Sequence, residues 1–358
     1  MASISRASEV IVMTMAQHAA AALPHGGDLG AARRQFPSVA QPFIDLSTGI
    51  NPHAYPVTQL SPDLFARLPQ SDALARLVVI AAKFYGAPSP DCVVAAPGTQ
   101  ILFSPVAALA APGQARILGP TYAEHAAVAA RAGHATTEVA EVHQLAEAGL
   151  AVVVNPNNPD GRLVDKARLL SVAHALRSRA GLLVVDESFM DVADADATLA
   201  GEVLCGNLVV LRSFGKFFGL AGLRLGFALA APDIAARLAA WLGPWAVAGP
   251  ASAVGETALA DAAWGLAMRK KLREDAQRLD ATLLAAGLHV VGGTSLFRLV
   301  HTQTAGELYQ HLGHAGILVR RFTEQPSWLR FGLPGEEEAW ARLRAALACF
   351  RATGSQRR

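Results

Sequence analysis

Cysteine is scarce: Cys92, Cys205 and Cys349 are the only three in 358 residues, far apart and in no CxxC arrangement. No disulfide framework or thiolate metal site follows from that spacing, and a reduced, cytoplasmic chain is the expectation. Histidine is more plentiful, at eleven, but His311 and His314 have no third ligand near them in sequence, so no metal is expected. Neither sign of charge is in excess, since 31 Lys and Arg against 29 Asp and Glu leave a formal +2. The pairs Arg33-Arg34, Arg320-Arg321 and Arg357-Arg358 are too short and scattered for a face that tracks nucleic acid, and the last reads as a solvated tail. No run reaches the roughly eighteen apolar residues of a membrane-spanning helix, so neither nucleic acid nor membrane is an expected partner. The stretch Ile11 to Leu23 is apolar but broken by Thr14, Gln17 and His18, too weak for a signal-peptide core. Residues 1–24 read as a flexible or helical arm, with Met13 or Met15 as alternative starts.

What is present is apolar mass and a spaced set of polar residues. A chain that is 52% hydrophobic can bury a large core, and its length suits a large α/β domain with a smaller companion. The most informative segment is Ser213-Phe214-Gly215-Lys216-Phe217-Phe218-Gly219, with Arg224 eight residues past the lysine. Apolar neighbours and a nearby cation both disfavour an ammonium, so Lys216 is placed to act as a neutral nucleophile. Taken alone, the string is an ordinary glycine-rich loop.

The segments upstream change that reading. Leu182-Leu183-Val184-Val185 reads as a buried strand ending in Asp186, at the sheet edge where open α/β folds bind ligands. Ala151 to Val154 is a second such strand, running into the turn Asn155-Pro156-Asn157-Asn158-Pro159-Asp160-Gly161. Cys92 to Ala96 leads into Pro97-Gly98-Thr99-Gln100 and an apolar, helix-like stretch whose opening N–H groups suit a phosphate, with a hydroxyl from Thr99. Arg116 to Leu118 leads into Gly119-Pro120-Thr121-Tyr122, where the tyrosine can stack on a flat heteroaromatic ring. Further strands are predicted at Leu288 to Val291, Leu296 to Val300, Ile317 to Arg320 and Trp328 to Leu333, after helices between Ala251 and Ala286. The Pro- and Gly-interrupted segment Trp241 to Pro250 reads as the break between two domains.

In this order the motifs resemble the aminotransferase-fold pyridoxal-phosphate enzymes, over roughly His25 to Leu347. The similarity is to the branch that holds histidinol-phosphate aminotransferase and threonine-phosphate decarboxylase. It implies an α/β chain of fold type I: a large domain with a mostly parallel seven-stranded sheet plus a smaller α+β domain. The corresponding division is arm 1–24, an N-terminal segment 25–59 that covers the site, a cofactor domain 60–245 and a small domain 246–358. The implied cofactor is pyridoxal 5'-phosphate, carried covalently by Lys216. Gly98, Thr99, Ser213 and Arg224 would surround its phosphate, Tyr122 would cover its ring, Asn158 would meet its phenolic oxygen and Asp186 its ring nitrogen. Phe189 stands where many relatives carry a tyrosine, which removes one hydrogen bond to that oxygen.

His25-Gly26-Gly27-Asp28 and the string Ile44 to Pro52 are similar to the opening of the decarboxylase of cobalamin biosynthesis. The activity implied is decarboxylation of L-threonine O-3-phosphate to (R)-1-amino-2-propanol phosphate. Candidates for holding that substrate are Arg330, for the carboxylate, and His25, Arg320 and Arg321, with backbone N–H groups near Gly26 and Gly27. Two alternatives stay open: transamination of the histidinol-phosphate type, and a catalytically silent partner of a corrinoid-pathway enzyme. The resemblance also implies a homodimer in which the segment bearing Asn51 and Tyr55 reaches the partner's cofactor.

Overall fold

The computed structural model describes residues 25–355, so the arm at 1–24 and the Arg357-Arg358 tail lie outside the described residues. Seven short strands build the larger sheet: β2 (Val93–Ala96), β3 (Gln114–Leu118), β4 (Ala135–Val139), β5 (Leu150–Val154), β6 (Leu182–Asp186), β7 (Leu208–Ser213) and β8 (Gly226–Leu229). Their order is β2-β8-β7-β6-β5-β3-β4. β8 runs antiparallel to β2 and β7, and the other pairings are parallel. This is the mostly parallel, seven-stranded α/β sheet expected from the motifs.

The continuous apolar runs of β5, β6 and β7 are explained by burial on both faces. Leu183, Val185, Leu208 and Val210 enter one core, whereas Leu182, Val184, Val209 and Leu211 enter a second core on the opposite side. Each such side chain contributes about 1.5–3 kcal/mol through removal from water, so neither face can be left open. Helix Lys166–Arg177 lies on the first face through Leu169, Val172 and Leu176; helix Glu124–Arg131 lies on the second through Val128 and Ala129.

The smaller sheet is built by β1 (Ile44–Leu46), β9 (His289–Thr294), β10 (Phe297–His301), β11 (Ile317–Arg321) and β12 (Trp328–Gly332), in the order β1-β11-β12-β10-β9. β1 pairs parallel with β11, so a strand from the N-terminal segment completes a sheet otherwise made near the C-terminus.

Three local departures from the sequence reading have physical causes. The Pro97 to Gln100 turn opens into a short 3-10 turn, Thr99–Leu102, and then only Phe103–Ala107 as α-helix. The predicted helical stretch after Ala251 is divided at Asp261, which ends helix Gly249–Ala260 and caps helix Ala262–Ala285 by accepting the Trp264 N–H at 2.9 Å. β9 runs on through Gly292 and Gly293, which the sequence leaves outside the predicted strand. After the Trp241 to Pro250 interruption, helix Gly249–Ala260 packs against helix Ser71–Tyr85, where a Cβ at Gly255 would meet Leu77 at 2.9 Å.

Candidate active site

The carboxyl ends of β3, β5, β6 and β7 deliver the site residues, as expected where the strands of an open α/β sheet point at a ligand crevice. Asp186 closes β6 and is 3% exposed. Its Oδ2 lies 2.9 Å from His125 Nε2, and Oδ1 accepts the Ser188 N–H at 3.0 Å and the Ser188 hydroxyl at 2.5 Å. Burial works against its charge, but the His125 bond and charge and the two Ser188 bonds outweigh it and hold the carboxyl below its ordinary range. His125 itself stacks on Phe103 with ring centroids 4.2 Å apart. The sequence reading missed His125; the available signal was its i+3 spacing from Tyr122, which places both near the start of helix Glu124–Arg131.

Lys216 follows β7 in the short helix Phe214–Phe217, among the fully buried Phe214, Phe217 and Phe218. Burial first, then the charges of Arg330 and Arg224, lower its pKa to about 8, with Asp186 opposing them. Its Nζ lies 5.6 Å from the centre of the Phe189 ring, the position where a tyrosine was the alternative. The backbone around it is pinned by Asn51, whose N–H donates to the Lys216 carbonyl at 2.9 Å and whose Nδ2 donates to the Phe217 carbonyl at 2.8 Å.

Gly98, Thr99, Ser213 and Arg224 come together at the end of the crevice. Gly98 has φ +84, and a Cβ there would lie 2.5 Å from Arg224 Nη2, so only glycine lets the guanidinium lie against this turn. Ser213 pairs with Gly226, whose own Cβ would fall 2.5 Å from the Thr99 nitrogen. The Thr99 hydroxyl donates to the Arg212 carbonyl at 3.0 Å, so its proton is engaged and the turn offers an anion backbone N–H groups and Arg224. Tyr122 stands beside His125 and donates to Gln100 Oε1 at 3.3 Å. Burial, helped by Glu124 and Asp186, raises its phenol to about 12, so it stays neutral.

These residues fit pyridoxal phosphate. An enclosed amine with a lowered pKa, an ionised carboxylate, a neutral aromatic ring and a cationic glycine turn are the groups its aldehyde, ring nitrogen, ring face and phosphate require.

On the substrate side, Arg330 of β12 is 6% exposed and crosses to the Asn-Pro turn. Its Nη1 donates to Asn158 Oδ1 at 2.5 Å and its Nη2 to the Ser47 carbonyl at 3.0 Å. Burial and the neighbouring Arg320 lower its pKa to about 9 against the opposing pull of Asp45 and Tyr122. Arg320 is the direct cross-strand neighbour of Arg330 and lies near Tyr122, and burial lowers its pKa. His25 Nε2 lies 3.3 Å from Glu124 Oε1, with its ring 6.0 Å from Tyr122.

The structure also places three other groups of the expected residues. Arg321 alternates to the other face of β11, where its guanidinium covers the Tyr309 ring at 4.9 Å, so it is not brought to the crevice. The Gly27 N–H donates to Ser47 Oγ at 2.7 Å, and a Cβ at Gly26 would lie 2.3 Å from the Ser47 carbonyl oxygen. The two glycines therefore seat the His25 segment against β1 and its following turn, and the Gly27 donor is already used. Asn51 and Tyr55 both make hydrogen bonds with residues of their own chain. The Tyr55 hydroxyl donates to Asp261 at 3.3 Å, and its ring packs edge-on against Trp264.

Fold and site together define a fold type I enzyme of the pyridoxal-phosphate-dependent class. The chain belongs to the aminotransferase class I and II family, whose model matches residues 28–347. It is 40% identical over 335 residues to a threonine-phosphate decarboxylase of Pseudomonas aeruginosa, covering 92% of this chain and 98% of that protein. A threonine-phosphate decarboxylase of a Sinorhizobium species is 41% identical over 331 residues, again covering 92% of this chain and 98% of the relative. Among solved structures, histidinol-phosphate aminotransferase from Sinorhizobium meliloti in complex with pyridoxal-5'-phosphate superposes with a TM-score of 0.78 at 20% identity. That match covers 93% of this chain and 96% of the other.

Proposed function

We propose that this chain is a pyridoxal-phosphate-dependent lyase that decarboxylates L-threonine O-3-phosphate, giving CO2 and (R)-1-amino-2-propanol phosphate. The observation that carries the reading is the pairing of Arg320 and Arg330 on adjacent strands, at the crevice that holds Lys216 and Tyr122. Two guanidiniums side by side suit a substrate with two anionic groups, a carboxylate and a phosphate. The similarity to threonine-phosphate decarboxylases over nearly the whole chain supports the same substrate.

When bound, pyridoxal phosphate supplies an electron sink for the pair left at the substrate's Cα as the carboxylate departs. The ionised Asp186, held by His125 and Ser188, keeps the ring nitrogen protonated for that purpose. Arg330 holds the carboxylate, and its bonds to Asn158 and Ser47 fix the plane of the guanidinium. Arg320 and His25 would hold the phosphate, so the substrate is gripped at two ends and its carboxylate is kept in one orientation. Lys216 then returns one proton to Cα, its pKa of about 8 letting it exchange protons near neutrality.

No helix among the described residues is long and apolar enough to cross a membrane. The proposal includes a homodimer, supported by the exposed Phe65, Leu68 and Trp245, and a place in cobalamin biosynthesis. The test is incubation of the holoenzyme with L-threonine O-3-phosphate. CO2 release without any 2-oxo acid is expected, and an obligatory 2-oxo acid acceptor would overturn decarboxylation in favour of transamination.

A further inference from the structure

The Asn-Pro turn of the larger sheet meets the edge strand of the smaller sheet through bare backbone. A Cβ at Gly292 of β9 would lie 2.1 Å from the Asp160 carbonyl oxygen, and a Cβ at Gly161 would lie 2.0 Å from the Gly293 carbonyl oxygen. The contact is therefore reciprocal, with a glycine on each side facing the other side's carbonyl. Gly161 has φ +73 and Gly293 φ +150, so both also favour glycine by conformation, whereas Gly292 does not. At Gly292 only the closeness of the opposite backbone demands the missing side chain.

The position of this seam within the smaller sheet gives it a consequence. Gly292 is the register partner of Leu299 on β10, and Leu299 is the register partner of Arg330 on β12. Gly292, Leu299 and Arg330 thus form one row across three strands. Both ends of the row rest on the same turn: Gly292 on Asp160, and Arg330 on Asn158 at 2.5 Å. The row is held together by the β9–β10 and β10–β12 pairings, the first of which carries a bulge between Leu299 and Val300. Lifting the Gly292 end off the turn tilts the row and withdraws Arg330 from Asn158.

We propose that Gly161 and Gly292 are positioning residues, whose lack of side chains sets how closely the smaller sheet seats on the Asn-Pro turn and hence where Arg330 stands for the substrate carboxylate. The inference rests on the assignment of Arg330 to that carboxylate. Lys216, Asp186, Ser213 and Gly98 lie on the larger sheet or its loops, so the groups assigned to the cofactor's amine, ring nitrogen and phosphate stand apart from the row.

The test is Gly292→Ala in the holoenzyme, with Gly161→Ala pressing on the same seam from the other side. Gly306→Ala, at a helix position with nothing within 4 Å of the added Cβ, is the control. Affinity for L-threonine O-3-phosphate is read from the change in absorbance of the bound cofactor, with KM and kcat measured beside it. Weakening of substrate affinity by about tenfold or more is expected in both seam variants, since small displacements of a positioning group have effects of that order. Cofactor affinity stays as in the unaltered protein, because the phosphate turn and Lys216 lie on the larger sheet or its loops. Unaltered substrate affinity in a folded Gly292→Ala protein would overturn the proposal. So would a joint loss of melting temperature, cofactor affinity and kcat, which marks a merely structural contact. Failure of the unaltered enzyme to release CO2 counts against the decarboxylase reading alone, because the affinity change is read without turnover.

Discussion

Arg330 donates from Nη1 to Asn158 Oδ1 at 2.5 Å, joining the smaller sheet to the Asn-Pro turn of the larger one. With Nη2 on the Ser47 carbonyl at 3.0 Å, two bonds define the guanidinium plane, and Nε is buried with no protein partner. An ammonium cannot keep both bonds while offering a flat edge to a carboxylate. Arg330→Lys is therefore expected to lower kcat/KM for L-threonine O-3-phosphate by about 10²-fold, mainly through KM, at undiminished cofactor binding. Steady-state kinetics alongside a cofactor titration checks this, and an unchanged KM would remove Arg330 from the substrate site.

Lys216 governs the pH dependence of loading. Burial and the Arg330 and Arg224 charges set its pKa at about 8, below the ordinary lysine value of 10.5. The reactive species is the neutral amine, so the rate of covalent attachment to the cofactor-free protein rises about tenfold per pH unit below 8 and levels off above it. Stopped-flow absorbance after mixing with pyridoxal phosphate follows this directly. A midpoint near 10 would show that the apolar enclosure does not act on the amine as argued.

The most legible parts of the site are those where one strand carries both signals. A parallel strand buried on both faces must be an unbroken apolar run, and a polar residue at its carboxyl end must face the ligand crevice, which makes β6 and Asp186 readable together. Arg320 and Arg321 show the opposite case. Adjacency in the chain groups them, yet the alternation of a strand sends them to opposite faces, and only Arg320 lies beside Arg330. His125 carries only its i+3 spacing from Tyr122 as a signal, since its partner Asp186 lies 61 residues away. Gly292 and Gly293 fall outside the predicted strand because glycine is poor in strands, and their reason appears only when Asp160 and Gly161 are placed against them.

His125 is expected to matter through Asp186. Replacing it by alanine removes the 2.9 Å contact and the stack on Phe103, leaving burial opposed only by the Ser188 bonds. The pKa of the Asp186 carboxyl then rises from below its ordinary range, and once protonated it would no longer serve the cofactor's ring nitrogen as a negative partner. The sign is definite: in the unaltered protein Asp186 is ionised throughout the neutral range, whereas in His125→Ala the acid limb of the rate profile moves to higher pH. A fall in kcat of about 10- to 100-fold accompanies it, the usual size for loss of a group that orients a site carboxylate. A pH–rate profile with the same acid limb in both proteins would separate His125 from Asp186 function.

Behind the site, Arg212 is held in a buried cluster with Glu187 and Asp191. Its Nη1 donates to Glu187 Oε2 at 2.7 Å, its Nη2 donates to Asp191, and its guanidinium lies 4.5 Å from the centre of the Tyr85 ring. Glu187 is next to Asp186 and Arg212 is next to Ser213, so the pair ties the ends of β6 and β7 together on the side away from the cofactor. Burial raises the Glu187 carboxyl despite the Arg212 charge, which shows how dependent its ionisation is on that partner. Arg212→Met removes the cation and leaves two buried carboxylates facing each other, at a cost of about 3–5 kcal/mol in unfolding free energy. The triple change to Arg212→Met, Glu187→Gln and Asp191→Asn restores neutrality and recovers part of that loss, because an uncompensated charge, not lost packing, is its main cause. Urea unfolding of the two proteins decides between them: equal destabilisation would mean that Arg212 acts by filling space against Tyr85 and not by balancing charge.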